Sequence, residues 1–374
     1  MEIGIIGLPN VGKSSLFYLL TKISVSIEKF PFTTIQPNIG IVEVYDERFE
    51  FITSVLKPQK KVYPIIKFVD IAGLVKGASK GEGLGNRFLA NIREVDAVVH
   101  VVRYFFDDTV PSSIGKIDPI EEIDIINFEL VLADIEVISK HLEKLKHRQK
   151  VGNKTVTEEE ILFLEEIFKL CNNYGNSKNL AEIREFINKN KIKFQNKELL
   201  SFINQLLITK NFLYVLNYDE NVDRKELEKK IVEISSYTNC SVLPLCVKFE
   251  LSLADFSNEE KESLRKEYSV PSSELKNFIK NSVKILHLIT FYTIVGDEHR
   301  AWLIKENSSI LDAAGKIHSD LKEGFINAEV IPFEKFKQTP DLKLLYQNGD
   351  VKICGKDYIV QDGDIIKINS RIKT

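Results

Sequence analysis

Apolar residues in the early chain fall in short unbroken runs separated by polar stretches. Residues 2–6 (EIGII), 65–70 (IIKFVD) and 96–102 (DAVVHVV) are such runs, and 211–216 (NFLYVL) and 241–245 (SVLPL) repeat the signature much later. Runs of this length, rich in Val and Ile, predict buried strands. Residues 14–21 predict a helix after the first of them. Strands separated by helices predict an α/β domain, with a mostly parallel sheet and helices on both faces.

The period then changes. From about Asp118 to Lys150, Ile126, Leu130, Ala133, Val137, Leu142 and Leu145 recur at helical spacing, with charges on the other faces. A polar turn follows at 152–157, where Thr157 and Glu160 have the spacing of a capping box. A second helical run covers 158–171, and shorter helices reach about Leu207. The pattern predicts an antiparallel helical coiled-coil arm at 128–207, inserted between two parts of the α/β domain at 1–127 and 208–284. Ordinary surface helices are the alternative. Beyond about residue 285 the pattern changes again. Residues 289–295 and 301–304 read as strands, 310–320 as a helix, and 352–368 as strand, turn, strand with Gly355 and Gly363 in the turns. A small β-rich domain at 285–374 is expected.

The chain has 374 residues, 44% hydrophobic and 28% charged, with a formal net charge of −3. That composition supports a large core and disfavours a uniformly basic nucleic-acid-binding surface. Cys171, Cys240, Cys246 and Cys354 form no C-x-x-C pair, so reduced, packed thiols are expected. His287, His299 and His318 lack metal-ligand spacing and read as packed or solvated side chains, and Trp302 as packed in the small domain. The N-terminus does not read as a signal peptide and no apolar run reaches ~18–20 residues, so a soluble, cytoplasmic protein without membrane contact is expected; a monomer is expected as well.

Gly7-Leu-Pro-Asn-Val-Gly12-Lys13-Ser14 follows a strand and opens a helix, the context that makes G-x-x-x-x-G-K-[ST] a phosphate-binding loop. Glycines let the main chain wrap closely, so that successive N–H groups point at phosphates and the helix N-terminus adds its dipole. Asn10, Val11, Gly12, Lys13, Ser14 and Ser15 are the expected phosphate-side residues. Lys13 is expected to reach the β- and γ-phosphates, and the Ser14 hydroxyl to ligate Mg²⁺. Asp70 closes a buried strand in Asp70-Ile-Ala-Gly73; Asp70 is placed to hold Mg²⁺ and the Gly73 N–H to meet the γ-phosphate. Either threonine of Pro31-Phe-Thr-Thr34 could complete the metal shell, and Thr34 is taken as the ligand. Four glycines between Gly77 and Gly85 argue for a mobile segment that orders on the γ-phosphate.

The segments GLPNVGKS (7–14), PFTTIQPN (31–38), DIAGLVKGASKGEGLGNRFLANIREVDAVVHVVR (70–103), GKIDPIEEIDIINFEL (115–130), AAGKIHSDLKEGFINAEVI (313–331) and GKDYIVQDGD (355–364), in this order, resemble the Obg-related group of translation-factor GTPases. Within that group they resemble the YchF family, also called Obg-like ATPases. The resemblance spans nearly the whole chain. It implies a G domain split by a coiled-coil insertion, a C-terminal TGS domain of β-grasp fold, and contact with the ribosome or ribosomal RNA. Ordinary GTPases carry N-K-x-D after a buried strand, and its aspartate accepts hydrogen bonds from guanine. Here Asn217-Tyr218-Asp219-Glu220 stands in that place, as N-x-x-E does in the family, which prefers ATP. Asn217 and the Tyr218 main chain are the expected adenine contacts.

Two departures bear on catalysis. Leu74 follows Gly73 where many GTPases place a water-orienting glutamine. The family often carries a histidine at the position of Ser112, and 109–114 contains none. Lys13 and Gly73 remain as the catalytic residues. Asn10 lies where related proteins use asparagine to coordinate K⁺, so slow, K⁺-stimulated ATP hydrolysis is expected. The alternatives are an ATP-dependent regulatory protein with negligible hydrolysis, or an ordinary GTPase.

Overall fold

The computed structural model describes residues 1–22, 38–71, 84–151, 157–177, 179–253 and 256–371. Its strands are β1 (Glu2–Ile6), β2 (Ile39–Glu43), β3 (Lys60–Val62), β4 (Ile65–Asp70), β5 (Ala97–Tyr104), β6 (Asn211–Tyr218), β7 (Ser241–Leu245), β8 (Leu288–Thr293), β9 (Glu298–Lys305), β10 (Phe325–Pro332), β11 (Lys352–Cys354) and β12 (Asp364–Ser370). The helices that matter below are α1 (Lys13–Lys22), α2 (Glu47–Leu56), α3 (Leu84–Glu94), α4 (Pro119–Lys150), α5 (Glu158–Asn172), α6 (Leu180–Lys191), α7 (Lys197–Gln205) and α8 (Arg224–Thr238). The chain divides into two compact units. One holds Met1–Gly40 and Lys67–Phe278, the other Ile41–Ile66 and Ile279–Thr374.

In the first unit β4, β1, β5, β6 and β7 lie side by side, and every neighbouring pair is parallel. The expected α/β fold is present. β5 is buried from Ala97 to Arg103, as an apolar strand covered on both faces should be. The register aligns Ile5 with Asp70 and Arg103 with Asn217, so the carboxyl ends of four strands open at one edge. Open parallel sheets bind ligands at that edge.

Helices α4 to α7 are inserted between β5 and β6. Asp118 caps α4 by accepting a hydrogen bond from the Glu121 N–H (3.1 Å), and Pro119 opens its first turn, where a missing N–H costs nothing. The capping box of α5 forms as its spacing implied: the Glu160 N–H donates to Thr157 Oγ1 and the Thr157 N–H to Glu160 Oε2, each at 3.2 Å. The insertion has its own core, with Ile138 and Leu142 of α4 against Leu164 and Ile167 of α5 and Ile183 and Ile187 of α6. Nothing interrupts the chain at the 127/128 boundary, because α4 runs through it as one helix of 32 residues.

The second unit carries a mixed sheet in the order β11-β10-β12-β8-β9-β3. β8 pairs antiparallel with β9 and parallel with β12, and the helix at Ile310–Ile317 packs on it through Ile310, Ala313 and Ala314. This is a β-grasp arrangement. Four features differ from what the sequence predicts. Residues 41–66, placed there with the nucleotide domain, cluster with this unit because α2 buries Phe49 and Ile52 against Tyr292, Ala301 and Phe336. β10 is an additional strand. Residues 352–368 do not form a hairpin, since β11 and β12 pair with β10 on its two sides and not with each other. The 310–320 helix breaks at His318, whose Nδ1 accepts a hydrogen bond from the Asp320 N–H and caps the next turn. Trp302 packs in this unit as expected, stacked on Phe291 with its Nε1–H bonded to Thr293 Oγ1 (3.0 Å).

Candidate functional site

The phosphate loop leaves β1 and enters α1 at Lys13. Gly12 has φ +93°, and a Cβ there would lie 2.2 Å from Asn217 Nδ2. A Cβ on Gly7 would lie 2.6 Å from the Val101 carbonyl oxygen. Both glycines are therefore required by close approach of the neighbouring strands. Asn10 is a non-glycine residue at φ 66°, a conformation in which asparagine is among the more tolerated side chains. The Leu16 N–H closes the first helical bond on the Gly12 carbonyl (2.9 Å). The N–H groups before it lie in the first turn, where no intrahelical partner exists. Ser14 and Ser15 are exposed at this helix start, and Lys13 is half-buried.

Asp70 ends β4 one strand away. Burial pushes its carboxyl above the usual range, and the Lys13 ammonium pulls the other way. Its Oδ1 is buried without a hydrogen-bond partner. A buried carboxylate oxygen left unmet beside a lysine, with an exposed hydroxyl at Ser14, fits a hard cation that takes oxygen ligands. Ser14 and Asp70 are the described residues that would hold Mg²⁺. Thr34, Gly73, Leu74, and Gly77, Gly81 and Gly83 of the glycine-rich segment lie outside the described residues.

At the end of β6, Asn217 is buried and both ends of its carboxamide are bonded. Nδ2 donates to the Val11 carbonyl (2.9 Å), and Oδ1 accepts from the Val247 N–H (3.3 Å). The side chain thus ties the phosphate loop to the turn after β7. Each such bond is worth about 1 kcal/mol. The Tyr218 side chain turns away from the edge: its hydroxyl donates to Glu274 Oε1 (2.7 Å) under the Arg224 guanidinium. Its side chain is therefore not available at the edge. Asp219 accepts the Phe106 N–H (3.1 Å), and Phe106 is 78% exposed. The Glu220 carboxylate lies 3.9 Å from Cys246 Sγ, a thiol whose pKa burial pushes up to about 12.

The loop after β5 is stitched to the phosphate loop. Asn10 Nδ2 donates to the Pro111 carbonyl (3.1 Å), and Ser113 Oγ to the Pro9 carbonyl (2.5 Å). Ser112 Oγ donates to the Lys116 carbonyl (2.6 Å), so its hydroxyl closes a turn. Two contributors escaped the sequence reading, Arg103 and the Cys246–Val247 turn. Arg103 closes the 70–103 segment and the turn follows β7, yet nothing along the chain assigns either a role, and only their contacts reveal them.

The geometry is that of a P-loop nucleoside triphosphatase, and comparison with known proteins narrows it. A family described as 50S ribosome-binding GTPase matches residues 2–138, and the YchF-GTPase C-terminal family, described as a protein of unknown function, matches residues 288–370. The chain is 42% identical over 368 residues to the ribosome-binding ATPase YchF of Buchnera aphidicola subsp. Acyrthosiphon pisum (97% of each chain). It is 41% identical over 369 residues to the protein of the same name in Bacillus subtilis, again over 97% of each. The structure of the Schizosaccharomyces pombe YchF GTPase superposes with a TM-score of 0.77 at 31% identity, covering 99% of this chain and 97% of that one. At these identities over 97% of its length, the protein belongs to the YchF family.

Proposed function

We propose that the chain binds and slowly hydrolyses ATP in preference to GTP, as a Mg²⁺-dependent switch that works at the ribosome in the cytoplasm as a monomer. The names of its relatives divide between ATPase and GTPase, so the base must be argued from residues. The observation that carries the reading is the Asn217 bridge. It holds the phosphate loop and the turn after β7 together, and so assembles a base-binding edge. At that edge Tyr218 and Glu220 stand where a guanine-specific site needs lysine and aspartate. Guanine's N1 and N2 donors then lose the aspartate that accepts from them, and the longer Glu220 side chain lies toward Cys246 (3.9 Å), whereas adenine needs no such acceptor. The polar contacts left for adenine are the Tyr218 main chain and, beside it, Asn217.

The N–H groups from Asn10 to Ser15 would wrap the phosphates, and the Lys13 ammonium would offset charge on the β- and γ-phosphates. Ser14, Asp70 and Thr34 would hold Mg²⁺, which when bound neutralises charge on those phosphates. The Gly73 N–H would meet the γ-phosphate. Asn10, beside the phosphates, would admit K⁺, and turnover would be faster in K⁺ than in Na⁺. Ser112 spends its hydroxyl on Lys116, which accords with slow basal turnover. The insertion and the β-grasp unit are the surfaces for the ribosome or its RNA. Among the described residues no helix is long and apolar enough to cross a membrane. Titration with ATP and GTP in the presence of Mg²⁺ tests the reading: ATP should bind more tightly, and a clear GTP preference would overturn it.

A further inference from the structure

Arg103 is 3% exposed and sits beside Asn217 in the parallel register of β5 and β6. Paired positions on neighbouring strands present side chains to the same face of the sheet. Asn217 takes the Val11 carbonyl, and Arg103 takes the carbonyl before it, with Nη1 donating to Asn10 O at 3.4 Å. The same guanidinium donates through Nε to the Phe105 carbonyl (3.2 Å) and through Nη2 to the Asp107 carbonyl (3.5 Å), and it lies 4.2 Å over the Phe105 ring. Among the described residues no carboxylate is in ion-pair contact with it. Glu122 of α4 accepts the Arg103 main-chain N–H instead (3.0 Å). A buried cation ordinarily pairs with a carboxylate. This one is held against main-chain carbonyls next to a loop built for anions.

Peptide planarity gives the arrangement a consequence. In a trans peptide the C=O and the following N–H point in opposite directions. Holding the Asn10 carbonyl from behind therefore aims the Val11 N–H forward, and holding the Val11 carbonyl aims the Gly12 N–H. Arg103 and Asn217 thus set two successive donors of the phosphate loop. Asn10 sits at φ 66°, a sparsely populated region that asparagine tolerates, and the contact on its carbonyl helps hold it there.

We propose that Arg103 is a positioning residue for ATP hydrolysis, fixing the Asn10–Val11 peptide so that the Val11 N–H stays aimed at the phosphate on which charge develops as the β–γ bond breaks. The proposal rests on the hydrolase reading above. Preorganised N–H donors matter most where charge grows in the transition state. Loss of the guanidinium should therefore slow the chemical step more than it weakens ground-state binding.

The test is single-turnover hydrolysis with Mg²⁺, with and without ribosomes, alongside ATP binding by calorimetry, for wild type, Arg103→Gln and Arg103→Lys. In Arg103→Gln the rate constant per bound ATP should fall by about tenfold or more, ATP affinity should change by less than about threefold, and stoichiometry should stay unchanged. Arg103→Lys, with one donor head in place of a fork, should fall between the two. A purely structural role would lower stoichiometry and melting temperature and leave the rate constant per bound ATP alone. That result overturns the proposal, as does an equal loss of rate and affinity. If Arg103→Gln does not fold, Arg103→Lys decides: a wild-type rate constant refutes, and a reduced one at near-normal affinity supports. A wild-type chain that leaves ATP intact under every condition would instead refute the hydrolase reading, and this inference with it.

Discussion

Asp70 closes β4 and Asp46 caps α2, and their surroundings drive the two carboxylates in opposite directions. Burial works against both. At Asp46 the Arg48 guanidinium (2.9 Å) and the Tyr292 hydroxyl (2.8 Å) outweigh it and hold the carboxyl below the usual range. Arg48 also reaches Asp362 at 2.8 Å, so the group joins α2 to the loop before β12 within the second unit. At Asp70 burial wins over Lys13, the carboxyl stays above the usual range, and Oδ1 has no partner. One unit satisfies its carboxylate and gains stability. The other leaves an acceptor unmet at the edge where a ligand belongs, and functional sites commonly carry such a cost.

The largest effect expected is at Lys13, which offsets part of the burial at Asp70. Lys13→Ala should raise the dissociation constant for ATP by about a hundredfold or more while the chain stays folded, because the half-buried ammonium is outside the core and would face the phosphates. Calorimetric titration with ATP checks this, and wild-type binding would remove the phosphate site itself. Next comes the direct contrast. Asp46→Ala removes a helix cap and one of the two carboxylates that hold Arg48, Asp362 remaining, so urea unfolding should show a loss of about 1–2 kcal/mol with ATP affinity unchanged. Asp70→Asn should cost no stability and raise it by up to about 1 kcal/mol, while Mg²⁺-dependent ATP turnover falls by about a hundredfold. If both variants lost stability equally, the distinction between a paired and an unmet carboxylate would collapse.

A slower trend sharpens the comparison through pH. Burial pushes the Glu122 carboxyl up from 4.5 to about 7 against the pull of the Arg103 N–H and charge. Between those values the folded chain keeps a proton that the unfolded chain has released. Stability from this group is therefore full below about 4.5 and declines as pH rises through about 7, by up to about 3 kcal/mol. Asp46 has the opposite sign: its contribution is present above its unfolded value of 3.8 and is lost as pH falls. Denaturation at about pH 5 and about pH 8 should show Glu122→Gln flattening the alkaline decline, and an unchanged slope would exclude Glu122 as its source.

Much of this was legible along the chain because it depends on near neighbours. The phosphate loop is one contiguous stretch between a strand and a helix, so its glycines, lysine and serine declare themselves together. The strands at 65–70 and 211–216 and the box at Thr157–Glu160 likewise follow from local period and spacing. β10 was harder, since FINAEVIP mixes Asn and Glu into a strand covered by neighbours on both sides. The 41–66 segment lies within the 1–127 span along the chain yet clusters with the second unit, since α2 looks alike in sequence whichever core receives Phe49 and Ile52.

Sequence by itself determined the phosphate-loop motif at 7–14, the α/β rhythm, the inserted helices and the departure from N-K-x-D at 217–220. Tertiary structure alone decided that Asn217 grips the Val11 carbonyl, that Arg103 grips the one before it, and that β11 and β12 share β10. The physical reason is distance along the chain. Local propensity and spacing act over a few residues, whereas a side chain meets the Asn10 carbonyl from Arg103 or the Val11 carbonyl from Asn217 only after the parallel strands have set their register.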